Sequence, residues 1–246
     1  MTDLARLDEH GTKVQRMFGR IAHGYDRANR VMSLGIDERW RRRATDDLLA
    51  HLPDDRGATV LDLCAGTLDS TLAIARRWTN ANVVAGDFSA EMLGKGEAKL
   101  DTDDLRSRVR TQVMDAHALP LADRSCDALF CAFGIRNVSD LGRATAEQAR
   151  VLKPGGKLCV LEFFRPTKLF VRVMHRVYNQ TLLPLMGWAL TGDREAYRYL
   201  PRSIGRFDST AEYGDRLRAH GFVDVQIEPL TFGMAYIVRA TRERAS

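Results

Sequence analysis

No run of 18 apolar residues, no signal-peptide pattern and no internal repeat occurs in the 246 residues, so a soluble chain at most peripheral to a membrane is expected. Cysteine is scarce. Cys64, Cys126, Cys131 and Cys159 lie in or beside apolar strand-like runs, and none is spaced C-x-x-C. This excludes a zinc ligand set or a disulfide framework and leaves small buried thiols in a reducing cytoplasm, with no metal expected. The full G-x-G-x-x-G turn of dinucleotide binders is missing, as is any N-P-P-Y-type motif for chemistry on nucleic-acid bases, so no nucleic-acid partner is expected. Charge is only mildly one-sided at +5, which suits a solvated surface. Hydrophobic residues reach 45%, enough for a substantial core in a single domain spanning 1–246.

The organising stretch is 60–75, VLDLCAGTLDSTLAIA. Val60, Leu61 and Leu63 read as a central parallel strand, Cys64-Ala65-Gly66-Thr67 as a small-residue turn, and 70–75 as the helix that follows. In an open α/β sheet, ligands sit beyond the carboxyl ends of the strands, against such turns and helix N-termini. Asp87 closes a second strand about 20 residues on, where an acidic side chain can hold ribose hydroxyls. Together they point to a nucleoside cofactor.

Strand and helix then alternate: strand 82–87, helix 90–100, strands 109–114 and 126–132, helix 141–152, strand 156–163, with Pro154-Gly155-Gly156 read as the stop between the last two. Helix 209–220 precedes strands 223–230 and 234–241, joined by Thr231-Phe232-Gly233 into a hairpin. The fold class is α/β, a doubly wound sheet ending in an antiparallel hairpin. Before it, 1–16 read as a loose or marginally helical arm with order from Val14, and 1–50 as a helical forepart suited to covering a pocket. Residues 164–207 interleave large apolar side chains such as Leu169, Phe170, Val173 and Trp188 with Arg165, Lys168, Arg172 and Arg176. An excursion this long reads as a helical lid over an apolar substrate.

Several motifs carry a resemblance. Tyr25-Asp26, Asn29, Met32-Ser33, Gly35 and Trp40-Arg41, then Phe133-Gly134-Ile135-Arg136-Asn137, then 150–156 (RVLKPGG) with Leu161-Glu162, then Tyr197-Arg198-Tyr199-Leu200 with Ser203-Ile204, are similar to those of the ubiquinone/menaquinone biosynthesis C-methyltransferases. The resemblance spans nearly the whole chain and implies the class I methyltransferase form of the doubly wound fold. It implies S-adenosylmethionine as cofactor and methylation of a polyprenylated quinol ring beside the inner face of the membrane; whether a homodimer forms is left open by the sequence. It also places residues. Asp62, Cys64, Gly66, Thr67, Asp87, Phe88, Asp115, Ala116 and Ala132 fall at cofactor-binding positions, and Arg136, Asn137, Tyr25, Asp37 and Tyr197 are the catalytic candidates.

The implied chemistry is attack of an electron-rich ring carbon on the sulfonium methyl, aided by alignment that contributes on the order of 7 to 11 kcal/mol in favourable cases. Arg136 stays protonated, so it suits stabilising a quinolate oxygen or placing a water rather than acting as base. The sequence departs from the family at Ala28, Asp37, Phe164 and above all Leu68, where G-T-G-D becomes G-T-L-D. These departures support a second reading, in which catalysis is lost or repurposed; methylation of another apolar aromatic molecule is a further alternative. If the turn still holds a cofactor, Leu68 is expected at negative φ with its side chain turned away, between the next helix and the sheet.

Overall fold

A computed structural model describes residues 9–21, 26, 30–31, 33–52, 57–101, 105–167, 169–177 and 194–244. The elements are α1 (Glu9–Ile21), α2 (Ile36–Ala50), β1 (Thr59–Leu63), α3 (Asp69–Arg77), β2 (Asn82–Asp87), α4 (Ala90–Glu97), β3 (Val109–Val113), β4 (Cys126–Ala132), α5 (Leu141–Val151), β5 (Leu152–Glu162), α6 (Leu169–Val177), α7 (Arg194–Arg206), α8 (Thr210–Ala219), β6 (Phe222–Leu230) and β7 (Ala235–Arg242). The sheet runs β3-β2-β1-β4-β5-β7-β6. The first five strands pair in parallel, and β7 lies antiparallel between β5 and β6.

Alternation along each strand sends neighbours to opposite faces, and both faces are covered. Val60 and Phe130 pack on one side with Leu48 of α2, Leu72 and Ile74 of α3 and Leu93 of α4. Leu61 and Leu129 pack on the other with Ala149 of α5 and Tyr213 and Leu217 of α8. Side-chain caps start the helices next to the strand ends: Ser89 accepts from Met92 N ahead of α4, and Asp140 from Arg143 N ahead of α5.

Three expectations need correction. Helix is already formed at Glu9, ahead of the order expected from Val14, because Val14 and Met17 are buried where α1 packs on α4 and α7. The helix expected over 90–100 ends at Glu97. Pro154-Gly155-Gly156 lies inside β5: Leu152 pairs with Cys126 and Lys157 with Ala128, so the residues between form a bulge rather than a break. Of 164–207, residues 178–193, including Trp188, lie outside the described residues, as does Lys168.

Candidate cofactor and substrate site

The carboxyl ends of β1, β2, β3 and β4 open into one cleft. It sits where the strand order reverses, between β1 and β4. Leu63, Cys64 and Gly66 line it from β1, Asp87 and Phe88 from β2, Asp115, Ala116 and His117 from β3, and Ala132, Phe133, Gly134 and Asn137 from β4. Gly11 and Phe18 of α1 close one side.

The turn after β1 is left-handed at three residues: Cys64 (φ 59), Gly66 (φ 55) and Leu68 (φ 69). The expected negative φ at Leu68 is therefore wrong. Leu68 is the residue that starts α3; its N–H donates to Ala65 O at 3.0 Å and its carbonyl accepts from Leu72 N at 2.9 Å, which fixes the reversal. Its side chain is fully buried among Leu72, Leu93 and Leu100, away from the cleft. A side chain at Gly96 would place Cβ 2.3 Å from Leu68 Cγ, so α4 can approach the turn only with glycine there. At Gly134, Cβ would lie 2.2 Å from Cys64 Cβ, so glycine is likewise required where the loops after β1 and β4 touch.

Asp87 is buried, and its two carboxylate oxygens accept from Gly66 N and Ser89 N, each at 2.9 Å. Burial pushes its pKa up to about 6, against the pull of backbone N–H groups from Ser89, Gly66 and Phe88. Asp115 takes the backbone N–H of His117 at 2.9 Å and its Nδ1 at 2.6 Å. Asp62 and Thr67 stand behind the turn rather than in the cleft lining. Asp62 accepts from the Thr71 hydroxyl at 2.5 Å, and burial raises it to about 7 against that hydrogen bond and the nearby Arg41. The Thr67 hydroxyl donates to Asp26.

Beyond Phe133 the cleft meets an aromatic wall. Phe133 stacks on Phe163 at 4.9 Å, Trp40 meets Phe163 edge-on at 6.1 Å, and the Arg41 guanidinium lies 5.2 Å over the Phe133 ring. Arg136 is almost entirely buried in an ion pair with Glu162 (2.9 Å), and its other bonds go to Phe133 O (2.6 Å) and Ser203 Oγ (3.2 Å). Burial raises Glu162, and Arg136 opposes it. Arg136 lines a second, cation-rich cavity between α1 and α7 rather than the first cleft, and its Nη2 takes no protein acceptor among the described residues. Asn137 lines the first cleft and accepts from the Tyr199 hydroxyl at 3.1 Å.

Asp37 does not line the cleft; it is held by the Ser33 hydroxyl and lies 3.9 Å from Arg41. Tyr25 lies outside the described residues, as do Ala28 and the side chain of Tyr197. Phe164 sits in the core on the far face with Phe207, Tyr213 and Tyr236. Sequence reasoning gave no role to Glu162, Tyr199 or Lys99. The first two stood inside the motifs, and nothing local marks Lys99.

A doubly wound sheet closed by an antiparallel hairpin, with a cleft at its switch point and a buried carboxylate at the end of β2, defines a class I methyltransferase. A profile of the ubiE/COQ5 methyltransferase family matches residues 6–242, and the chain belongs to that family. It is an S-adenosylmethionine-dependent C-methyltransferase. Among its relatives are a demethylmenaquinone methyltransferase of Thermus thermophilus, 43% identical over 90% of this chain and 97% of that protein, and the ubiquinone/menaquinone biosynthesis C-methyltransferase UbiE of Geotalea daltonii, 38% identical over 94% and 97%. A solved S-adenosylmethionine-dependent methyltransferase of Aquifex aeolicus shares the fold with a TM-score of 0.58 at 20% identity, over 80% of this chain and 89% of that one.

Proposed function

We propose that the chain methylates a ring carbon of a polyprenylated quinol, of the demethylmenaquinol or 2-polyprenyl-6-methoxy-1,4-benzoquinol type, in menaquinone or ubiquinone biosynthesis. The observation that carries this reading is the continuity of the cleft with the Trp40, Phe133 and Phe163 wall beside a buried arginine: a flat apolar ring with polar oxygens fits there. S-adenosylmethionine, when bound, supplies an electrophilic methyl. Asp87 then accepts the ribose hydroxyls, Asp115, steadied by His117, accepts from the adenine amino group, and Phe88, Ala116 and Ala132 give apolar walls. Cys64 and Gly66 offer backbone to the amino-acid end, while Asp62 and Thr67 shape the turn from behind. Arg136, through Nη2, and Asn137 hold the quinol oxygen or the water that takes its proton, with Tyr25 and Tyr197 in support; Asp37, turned to Ser33 and Arg41, takes no part.

The 164–207 segment serves as the lid, working peripherally at the inner face of the membrane. Leu169, Phe170 and Val173 of α6 are exposed, and Arg172 stands among them. Arg202 and Arg206 of α7 add positive charge, each worth roughly 1 kcal/mol near an anionic surface. In the test, purified protein receives tailed and tail-less demethylated quinols with S-adenosylmethionine, and is floated with anionic liposomes at low salt. Methylation of the tailed quinol and flotation are expected. Equal turnover of both substrates with no flotation would remove the lid and membrane reading, and no methylation of either would remove the substrate. Asp87→Ala is expected to weaken cofactor binding at least about tenfold, or ~1.4 kcal/mol, in calorimetry.

A further inference from the structure

Two residues past α4, Lys99 uses all three of its ammonium donors. Nζ lies 2.7 Å from Asp26 Oδ2, 2.8 Å from Thr67 O and 2.8 Å from Asp69 Oδ1. The acceptors come from three different places: the forepart, the cofactor turn and the first turn of α3. The Thr67 hydroxyl closes the ring by donating to the other oxygen of Asp26. Burial would lower the Lys99 ammonium, and the hydrogen bonds to Asp26 and Asp69 outweigh it, so its pKa is raised and the charge is firmly held. None of Asp26, Thr67, Asp69 and Lys99 lines the cofactor cleft, so the cluster is not part of the binding surface itself.

The forepart is tied down at a second point. Gln15 of α1 donates through Nε2 to Phe88 O, 2.6 Å away, on the loop that carries Asp87. On either side of Gln15, α1 presents Gly11 and Phe18 to the cleft. α1 is thus fastened to the cleft at Phe88, and Asp26, five residues past α1, is fastened to the cofactor turn.

We propose that Lys99 is a positioning residue: with Asp26 and Thr67 it latches the forepart to the cofactor turn, holds the α1 wall over bound S-adenosylmethionine and slows its release. The proposal rests on the cleft being the cofactor site. Substrate chemistry is not its business, so the latch acts on the cofactor's KM and dissociation rate and leaves turnover at saturation close to that of the natural chain. Hydrogen bonds between charged groups are strong, but Asp26, Asp69 and Lys99 are each about one-third exposed, which reduces their worth.

The test uses the full chain with Lys99→Met, Lys99→Arg and Asp26→Asn, none of which alters a residue of the cleft lining. Dissociation of S-adenosylmethionine is followed by stopped-flow fluorescence, and amide hydrogen exchange of α1 is measured with and without the cofactor. Lys99→Met and Asp26→Asn should each speed release about tenfold, ~1.4 kcal/mol, and abolish the cofactor-induced protection of α1. Lys99→Arg should recover most of both, and the double variant Asp26→Asn/Lys99→Met should be no worse than either single change. Release and α1 protection within twofold of the natural chain in Lys99→Met would overturn the latch, even if the variant melts earlier. Should Lys99→Met fail to fold, Asp26→Asn decides on the same readouts. Failure of Asp87→Ala to weaken binding would instead strike the cofactor site itself.

Discussion

Leu68→Gly separates the strain in the cofactor turn from the packing that holds it. Leucine at φ 69 sits in a conformation that costs an L-residue roughly 1 to 2 kcal/mol, and glycine would regain that amount. Against this stands a side chain with 0% exposure, and removal of a buried leucine costs about 2 to 5 kcal/mol, more where the cavity cannot collapse. Glycine also frees the unfolded chain, for a further loss of about 0.4 to 1 kcal/mol. Packing wins, and a net loss of about 0.4 to 5 kcal/mol is expected, lowering the melting temperature by about 2 to 4 °C for each kcal/mol in a domain of this size. Because the side chain points into the core and not into the cleft, cofactor affinity should change less than about threefold, under ~0.7 kcal/mol. Urea unfolding gives the first quantity and calorimetric titration with S-adenosylmethionine the second. A more stable variant would show that strain outweighs burial. A tenfold gain in affinity would show that leucine blocks the methionine end of the cofactor.

Asp62, raised to about 7 from an ordinary 3.8, favours its protonated form in the folded chain, so its contribution is full below about pH 4 and lost as pH rises through about 7. The stability of Asp62→Asn minus that of the natural chain should therefore grow with pH across this window in urea unfolding, and a flat or falling difference refutes the assignment. Glu162→Gln leaves the buried Arg136 charge without its partner and should cost about 3 kcal/mol in thermal unfolding; a loss below about 1 kcal/mol would mean that Arg136 keeps its water. Arg136→Ala should lower turnover far more than cofactor affinity, and the reverse pattern, read from steady-state kinetics and calorimetry, would move the residue to the cofactor side.

The order of elements was legible because strand and helix periodicity, cap residues and turn glycines are local. Val60 to Leu63 alternate between two covered faces, Ser209 and Glu212 form a reciprocal cap at α8, and Thr231-Phe232-Gly233 links β6 to β7, all within a few residues of sequence. What failed depended on distant neighbours. Leu68 is held at positive φ by burial against α4, and Pro154-Gly155-Gly156 stays in the strand because β4 and the long β5 pair on either side of it. The ion pair that occupies Arg136 joins residues 26 positions apart, and Lys99 meets Asp26 across 73. Position after a strand end pointed to Asp87 and the resemblance to Asp115, and both line the cleft; neither could tell that Asp62 and Asp37 turn elsewhere.

Trp40 of α2 donates from Nε1 to Thr231 Oγ1 at 3.1 Å, and Asp47 of the same helix is paired with Arg239 of β7. These partners are 191 and 192 residues apart. During synthesis the aromatic wall is thus begun at α2 and fastened only after β6 and β7 have been made, since the Arg239 tie needs β7 in place between β5 and β6. The parallel half of the sheet can assemble around β1 while the chain is still growing. The aromatic wall cannot, and a chain cut short before β7 would carry the turn after β1 with that wall unsecured. Insertion of β7 is therefore also the step that secures the aromatic wall.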